Sequence, residues 1–467
     1  MKTQKKHLLR LWPMAVLTAF IFGLFSCGGP SVQERDATEG IPQSEVEPPE
    51  WSRNANIYEV NIRQYTPEGT FNAFAQHLER LNLMGVEILW LMPVHPIGAE
   101  NRKGSLGSYY SIQDYTGVNP EFGTMDDLRT LIMQAHEKDM KVIIDWVANH
   151  TAWDHPWTQT NPEFYVTDEQ GNFVPPVEDW TDVIDLNYDN RELWDTMIAE
   201  MRFWVEEMDI DGFRCDVADM VPTEFWETAV EDLEQIKPLF MLAEAENQEL
   251  HINAFEMGYG WELHHIMNRI GQGDANVLEL DRYFFLDTTN WFPFGTYRMN
   301  FITNHDENSW NGTELERLGK GVEAFAVLTA TVPGMILIYN GQEAALDQRL
   351  EFFEKDSIAW DGYVYHEFYK SLLELKAENE ALWNGAYGGE IERVHTNQDQ
   401  EVFAFVREKD NQKIFVVLNL SEQNVTASFQ GDEFPGVYTT LFDEETIEIE
   451  EDFTMDMEPW AYFVFYK

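Results

Sequence analysis

Short apolar segments alternate with amphipathic segments along the chain from about residue 54 onward. A short apolar run bounded by turn residues is typical of a buried strand, and apolar residues repeating every three to four positions are typical of a helix. The clearest helix begins after Thr124, a predicted N-cap with Asp127 three residues later. This alternation predicts repeated βα units and a parallel sheet.

The pattern marks seven strands and leaves room for one more. The predicted strands cover residues 57–62, 86–91, 141–145, 211–217, 239–244, 299–304 and 335–339. Residues 255–290 have no clear pattern, and a sixth unit must lie there if the units are to number eight. Eight units predict an α/β fold, a (β/α)8 TIM barrel over residues 51–380, with its active site at the C-terminal ends of the strands.

Two segments depart from the alternation. Residues 151–185 follow the third predicted strand and are rich in Trp, Pro, Asn and Asp. A loop of this length is uncommon in a compact domain unless it is functional, so we predict a small inserted domain that leans over the site. From residue 381 to residue 467 the pattern contains strands alone, which predicts a C-terminal antiparallel β-sandwich domain.

The N-terminal segment predicts export. Basic residues precede an apolar run at residues 15–25, which ends shortly before Cys27. This is typical of a signal peptide over residues 1–27, and the residues around Cys27 resemble a bacterial lipoprotein cleavage site, where Cys27 becomes the lipidated first residue. The alternative is an ordinary signal peptide with an incidental cysteine. Residues 28–50 contain little to bury, so we expect a disordered tether.

Localisation follows from these two predictions. We expect an exported bacterial lipoprotein, in the periplasm or at the cell surface, that contacts the membrane only through its lipid anchor. Only two cysteines, Cys27 and Cys215, are present, so no disulfide framework is expected, and Cys215 is predicted to lie in the core.

Charge narrows the range of partners. The chain has 31 basic and 83 acidic residues, a formal net charge of -52. Such a charge repels phosphate backbones and anionic membrane surfaces, so we expect no nucleic-acid partner. A neutral substrate is compatible with it. The sequence indicates no oligomeric state.

Three carboxylates follow predicted strands at the end where a barrel places its active site: Asp216, Glu244 and Asp306. Cleavage of a glycosidic bond needs one carboxylate to attack the sugar and one carboxylic acid to protonate the leaving group. Arg214 lies on the same strand face as Asp216, so we expect it to lower the pKa of Asp216, which suits a nucleophile. Burial beside residues 239–243 and the charge of Asp306 are expected to raise the pKa of Glu244, which suits an acid.

Each candidate also has a structural interpretation. Arg214 and Asp216 alone could form an ion pair in a barrel core, and Asp145 is expected to be structural, bonded to Arg214. His150 is either a ligand of sugar hydroxyls or a histidine satisfied at the rim. Glu246 lies on the same strand face as Glu244 and is the rival acid.

Four motifs occur in order at barrel spacing: DWVANH at 145–150, GFRCD at 212–216, AE at 243–244 and TNHD at 303–306. Together they resemble the four conserved regions of the α-amylase family of glycoside hydrolases. Supporting matches lie at residues 85–93, 110–115, 185–187 and 333–343. The resemblance covers the chain from about residue 54 to its end.

The resemblance implies a retaining glycoside hydrolase that cleaves α-glucosidic bonds, mainly α-1,4, in starch-like glucans or maltooligosaccharides by double displacement. It implies that Asp216 is the nucleophile, Glu244 the acid/base and Asp306 the stabiliser of the transition state. It further implies four residues that bind the sugar at the point of cleavage, with stacking by the first of them: Tyr110, His150, Arg214 and His305.

Some positions depart from the family pattern. Many members have Lys-His shortly after the nucleophile, where this chain has Asp219-Met220. The resemblance therefore gives less support for a substrate-binding lysine and for the usual calcium site in this chain. Asn149 matches a calcium ligand of the family, so calcium stays open, although no cofactor is required and no metal ligand is assigned.

Val217, directly after the predicted nucleophile, occurs in members that act on α-1,6 bonds and in neopullulanase-like members. The alternatives are therefore an oligo-α-1,6-glucosidase, a neopullulanase-like enzyme or an α-glucan transglycosylase. From another class, a non-catalytic glycan-binding surface lipoprotein would be expected to lack one of the three carboxylates, and all three are present.

Overall fold

The computed structural model describes residues 43–286 and 292–467, so the predicted signal peptide, Cys27 and residues 28–42 of the predicted tether lie outside the described residues. Residues 43–50 do not form a tether. The N–H of Ser44 donates to the carbonyl of Phe294 over 3.1 Å, and the N–H of Glu45 donates to the carbonyl of Ile252 over 2.8 Å. Because these backbone bonds hold the segment against the barrel, the tether predicted to extend to residue 50 is too long at that end.

Eight parallel strands form a closed barrel, as predicted. They span Ile57–Val60, Ile88–Leu91, Lys141–Trp146, Gly212–Cys215, Phe240–Ala243, Met257–Tyr259, Tyr297–Asn300 and Met335–Tyr339. Each strand pairs with the next in chain order, and the eighth pairs with the first, with Leu337 opposite Ile57. The sixth strand, absent from the sequence pattern, is only three residues long. The TIM barrel is confirmed.

Helices surround the barrel and connect its strands. The longer ones span Met125–His136, Arg191–Met208, Thr223–Leu233, Trp261–Gly271, Val322–Thr331 and His366–Glu378. Shorter helices span Ile62–Tyr65, Phe71–Ala75, Leu78–Met84, Trp157–Thr160, Leu250–Asn253, Leu278–Asp281 and Glu314–Leu318, and π-helical turns span Arg282–Leu286 and Glu307–Asn311. Thr124 and Asp127 form the predicted capping box at the start of the first long helix.

Five of the seven predicted strands are shorter than expected, and the first and the seventh show why. The first ends at Val60, because the side chain of Asn340 binds the N–H of Asn61 at 2.5 Å, and the chain turns there into a short helix. The seventh ends at Asn300, so residues 301–304 form a loop and His305 begins a helical turn. In that loop the side chain of Asn304 accepts the N–H of Glu307 at 2.8 Å, which begins the next helical turn. Asp306 is therefore presented from the first helical turn after this loop, at the barrel mouth.

The inserted domain after the third strand is held by a small antiparallel pair, His150–Ala152 with Val183–Asp185. This pair brings the two ends of the insertion together beside the mouth of the barrel. The residues between them contain one short helix, and Thr167 forms a bridge with Phe173.

The C-terminal domain contains two antiparallel sheets. Their nine strands span Ile391–Arg393, His395–Thr396, Val402–Lys409, Gln412–Asn419, Val425–Gln430, Gly436–Thr440, Thr446–Ile449, Thr454–Met457 and Tyr462–Tyr466. Six strands form one sheet and three form the other. Apolar side chains of both sheets pack together, for example Phe415 against Phe429 at 5.7 Å between ring centroids, so the predicted β-sandwich is confirmed.

The interior of the barrel is filled by side chains, including Ile57, Trp90, Ile143, Leu242 and Met299. Because the interior is packed, a substrate can reach the strands only at their C-terminal ends. Within residues 43–286 and 292–467, no helix has the length and apolar content needed to cross a membrane.

Candidate active site

A cleft of ≈ 650 Å³ lies at the C-terminal ends of the barrel strands. Asp216, Glu244 and Asp306 all line it. So do Tyr110, His150 and His305, the predicted sugar-binding residues other than Arg214. The structure therefore brings the sequence-predicted residues together in one cleft, on loops that follow different strands. Its volume is within the range of sites for small organic ligands.

Arg214 lies directly beneath the cleft and is fully buried. Its Nη1 is 2.9 Å from Oδ1 of Asp145 and 3.0 Å from Oδ1 of Asp216. Its Nη2 is 2.9 Å from Oε2 of Glu244. One guanidinium group thus contacts three carboxylates. It holds Asp216 and Glu244 as close neighbours, as a retaining pair of carboxylates requires.

Strand register explains why Asp216 and Glu244 meet. The fourth and fifth strands pair with Cys215 opposite Ala243, so the next residue of each emerges at the same level. The N–H of Glu244 donates to the carbonyl of Cys215 over 3.0 Å and continues this pairing. Gly212 permits the close approach of the two strands, because a Cβ there would lie 1.9 Å from the carbonyl oxygen of Phe240.

Burial has the largest effect on Asp216 and raises its pKa well above its usual range. The neighbouring charge of Glu244 raises this pKa further. Arg214 lowers the pKa of Asp216, as the sequence predicted, but it does not outweigh burial and Glu244. The Arg214 guanidinium also contacts Asp145 and Glu244. The expectation of a lowered pKa for Asp216 is therefore wrong in the substrate-free site. Burial also raises the pKa of Glu244, with Asp306 adding to the effect as expected. The pKa values of both carboxyls are therefore raised, and the chemistry needs one of them ionised to attack and the other protonated to donate.

Val217 connects the two carboxyls through the backbone. It has φ 37 and ψ 50, in the left-handed region that β-branched residues rarely adopt. In this conformation its N–H donates to Oε2 of Glu244 over 2.8 Å. The strained residue after Asp216 therefore fixes the position of the Glu244 carboxyl.

His305 joins Asp306 to the barrel. Its Nδ1 is 2.5 Å from Oε1 of Glu59, and its Nε2 is 2.7 Å from the hydroxyl of Tyr110 and 3.3 Å from Oδ2 of Asp306. Burial works to lower the pKa of His305, but Asp306 and Glu59 raise it well above its usual range. Burial likewise works to raise the pKa of Asp306, but the His305 charge lowers it. A charged His305 thus keeps Asp306 ionised at the cleft.

Tyr110 and His150 contribute neutral groups. The hydroxyl of Tyr110 donates to Oδ2 of Asp145 over 3.0 Å, and its ring stacks on His305 with 5.4 Å between centroids. His150 is buried beside Trp180, and burial lowers the pKa of His150 to about 3. A neutral imidazole and an aromatic ring are suited to hydroxyls and to the apolar face of a sugar.

The alternative interpretations can now be separated. Asp145 is fully buried and also accepts the indole N–H of Trp90 at 3.2 Å, so it is structural, as expected. Glu246 lies outside the residues that line the cleft and accepts the N–H of Glu262 at 3.2 Å. Cys215 is buried, as predicted. Of the two carboxyls that follow the fifth strand, Glu244 is therefore the one that lines the cleft.

The described residues do not fit the calcium arrangement of the resemblance. The side-chain amide of Asn149 is 3.2 Å from Nδ1 of His150, and its backbone carbonyl accepts the N–H of Leu186. Across the part of the chain that the structure describes, no three His, Cys, Asp or Glu residues are grouped to hold a metal ion. No step of the chemistry below therefore passes through calcium.

Sequence reasoning missed several residues of the site. Glu59 interrupts the apolar first strand, and a fully buried charge there was a signal that could have been used. Lys103, Trp180 and Phe352 also line the cleft, on loops without a local pattern, and so does Trp310, in the π-helical turn Glu307–Asn311. Their positions depend on how the loops pack, which the order of residues does not show.

A closed parallel barrel with paired carboxyls at the C-terminal ends of its strands is an arrangement suited to cleavage of glycosidic bonds. The family described as "Alpha amylase, catalytic domain" matches residues 51–182 and 177–411, and "Maltogenic Amylase, C-terminal domain" matches residues 391–464. The chain belongs to the alpha-amylase family.

Individual proteins agree with this assignment. Alpha-amylase 3 of Dictyoglomus thermophilum is 26% identical over 455 residues, which cover 82% of this chain and 88% of that protein. The crystal structure of a noncanonic maltogenic alpha-amylase from Thermotoga neapolitana is similar with a TM-score of 0.80 and 29% identity, over 89% of this chain and 98% of the other. An alpha-amylase from Lactobacillus plantarum gives a TM-score of 0.79 and 29% identity, over 89% and 99%.

Proposed function

We propose that this alpha-amylase family glycosidase hydrolyses α-glucosidic bonds, mainly α-1,4, in starch-like glucans or maltooligosaccharides with retention of configuration. The observation that carries the proposal is the pair Asp216 and Glu244 on one buried guanidinium at the mouth of the barrel. The names of the relatives, alpha-amylase and maltogenic alpha-amylase, support the substrate class.

In the first step the carboxylate of Asp216 attacks the anomeric carbon while Glu244 gives its proton to the departing oxygen. A covalent glycosyl-enzyme forms, and the reducing-end part of the substrate leaves. Glu244, now ionised, then takes a proton from water, which attacks the same carbon and releases Asp216. Asp306, kept ionised by His305, stabilises the positive charge that develops on the sugar ring in both steps.

Substitution of each carboxyl tests these roles. Asp216→Asn and Glu244→Gln keep the shape of the side chains, and we expect each to reduce hydrolysis of maltoheptaose by several orders of magnitude while sugar binding persists. Glu246→Gln, which changes the neighbouring carboxyl outside the cleft, is the matched control and should keep activity. Unchanged turnover in Asp216→Asn would overturn the assignment.

The second candidate is a transglycosylase or an enzyme that prefers α-1,6 bonds, and the presence of Val217 beside Asp216 favours it. Both candidates use the same carboxyls, so the products distinguish them. We expect maltoheptaose to be cleaved faster than isomaltotriose or pullulan, with free sugars as products. Longer oligosaccharides as the main products would favour the transglycosylase, and faster cleavage of isomaltotriose would favour the α-1,6 enzyme.

We also propose that the protein is anchored by lipid on Cys27. The basic start, the apolar run at residues 15–25 and the cysteine that follows it support this proposal. Expressed in a bacterium, the full chain should partition into detergent, and Cys27→Ala should move it to the aqueous phase. Aqueous partitioning of the unsubstituted chain would contradict the anchor.

A further inference from the structure

Three loops join along one side of the cleft. They contain residues 103–108, 179–182 and 352–354, and we call them the three-loop wall. Lys103, Ser108, Asp179, Trp180, Phe352 and Phe353 of this wall line the cleft. Side chains and backbone groups connect the loops to each other, so the wall is continuous.

Lys103 ties the first loop to the inserted domain. Its Nζ donates to the carbonyl of Asp179 over 2.7 Å and lies 3.0 Å from Oδ1 of Asp182. Asp182 is buried, and its carbonyl accepts the hydroxyl of Ser111 at 3.0 Å. A partly buried ion pair with a second backbone contact is held more firmly than an exposed pair.

The same loop is tied at its other end to the loop after the eighth strand. The N–H of Ser105 donates to Oε1 of Glu354 over 2.8 Å, and the N–H of Leu106 donates to the carbonyl of Phe353 over 3.1 Å. Gly104, at φ +63, lies so close that a Cβ there would be 2.5 Å from the Cβ of Phe353. The two loops are therefore in direct backbone contact.

Arg63 anchors the wall from below. It is buried, and its guanidinium donates to the carbonyl of Gly107 over 3.1 Å and to that of Leu106 over 3.3 Å. It also stacks on Tyr109 with 4.2 Å to the ring centroid. The loop is thus built as a fixed part of the fold and not as a free flap.

The three-loop wall lies across the barrel from Glu244, the proposed acid. Its loops follow the second, third and eighth strands, which together with the first make four adjacent positions of the ring. Glu244 follows the fifth strand, which lies across the barrel from the first. Because the acid must face the departing part of the substrate, that part leaves on the side of the fifth strand, away from the three-loop wall. The part that is attacked by Asp216 extends toward the wall.

We propose that the three-loop wall closes the cleft behind the non-reducing end of the substrate, so that the enzyme removes short units from chain ends and does not cut within chains. The terminal hydroxyls then meet the polar groups of Lys103, Ser108 and Asp182, while Phe352 offers an apolar face. The substrates are accordingly short maltooligosaccharides with a free non-reducing end. This proposal rests on the proposed function, because it concerns the same cleft.

The test compares two maltoheptaosides with the same chromogenic leaving group, one of them with a cyclic acetal on the 4- and 6-hydroxyls of the terminal non-reducing sugar. A wall that closes the cleft as proposed leaves no room for the acetal, so kcat/KM for the blocked substrate should be at least about 100-fold lower. Equal rates on the two substrates would overturn the proposal while supporting the proposed function. Cleavage of neither substrate would overturn both.

Loosening the three-loop wall should change the ratio of kcat/KM for the blocked substrate to kcat/KM for the unblocked substrate. In the double variant Lys103→Ala/Glu354→Ala the loop loses its side-chain ties to both neighbours, and we expect cleavage of the blocked substrate to rise at least about 10-fold relative to the unblocked one. Lys138→Ala, which breaks the exposed ion pair of Lys138 with Glu79 far from the cleft, is the control and should leave the ratio unchanged. A ratio that stays unchanged both in the double variant and after the further change Arg63→Ala, which removes the remaining side-chain anchor of the loop, would contradict the role of the wall.

Discussion

Glu59 does not line the cleft, and His305, which does, connects it to the cleft. Replacing Glu59 with Gln would remove this buried charge. Oε1 of Glu59 is 2.5 Å from Nδ1 of His305, and its Oε2 has no hydrogen-bond partner among the described residues. A glutamine fits the same space and can still accept from His305 through its carbonyl oxygen. The substitution therefore changes charge while preserving shape, and it tests Glu59 as a positioning residue.

The size of the effect follows from Coulomb's law. Two unit charges about 4 Å apart interact by about 4 kcal/mol at the effective dielectric constant of about 20 that suits protein sites. Asp306 remains as a second partner of His305, so part of the stabilisation persists. Since about 1.4 kcal/mol corresponds to a factor of ten, we expect kcat/KM on maltoheptaose to fall between about 10-fold and about 1000-fold at neutral pH.

The pH profile distinguishes this role from a merely structural one. Glu59 raises the pKa of His305, so its loss lowers that pKa, and the alkaline limb of kcat/KM should move to lower pH, with activity partly restored as the pH falls. Glu87→Gln removes a partly buried carboxyl at the opposite end of the barrel strands and should leave the profile unchanged. A Glu59→Gln profile with the wild-type alkaline limb would refute the reasoning, provided that circular dichroism shows the variant folded.

Two further predictions concern stability. Burial raises the pKa of Glu314 from 4.5 to about 7. Between these two pH values the folded state holds a proton that the unfolded chain releases. The free energy of unfolding should therefore fall by roughly 3 kcal/mol as the pH rises through this interval. Urea unfolding at pH 4.5 and pH 8 should show this fall reduced in Glu314→Gln; an equal fall would contradict the pKa. Val217→Gly should raise the free energy of unfolding by about 1 kcal/mol, because strain of about 1–3 kcal/mol exceeds the entropic cost of about 0.5–1 kcal/mol for glycine. A lower thermal midpoint in this variant would show that Val217 is not strained.

The barrel could be predicted because its strands are buried on both faces and read as continuous apolar runs. The sixth strand was missed because three residues, Met257–Tyr259, are too few to form a pattern. The seventh was placed too far along the chain because Phe301 and Ile302 are also buried, although they lie beyond the strand. Burial and strand pairing coincide in most of the barrel but not at its rim.

The carboxyls of the site could be predicted because Asp216 and Glu244 directly follow strands and Asp306 lies shortly beyond another, and strand ends meet at one edge of a barrel. The pKa of Asp216 could not be predicted, since it depends on how many carboxylates share Arg214, and Glu244 reaches that group from another strand. The same limit applies to Lys103 and Glu354, whose contacts join loops far apart in the chain.

The central claim is that Asp216 forms a covalent bond with the sugar, and trapping this intermediate tests it most directly. A fluorinated α-glucosyl fluoride reacts through its good leaving group, while its ring fluorine slows the second step, so the glycosyl-enzyme accumulates. Mass spectrometry of the digested protein should find one glycosyl unit on the peptide that contains Asp216. An adduct on Glu244 or Asp306, or rapid release of the sugar with inverted configuration and no adduct, would contradict the account.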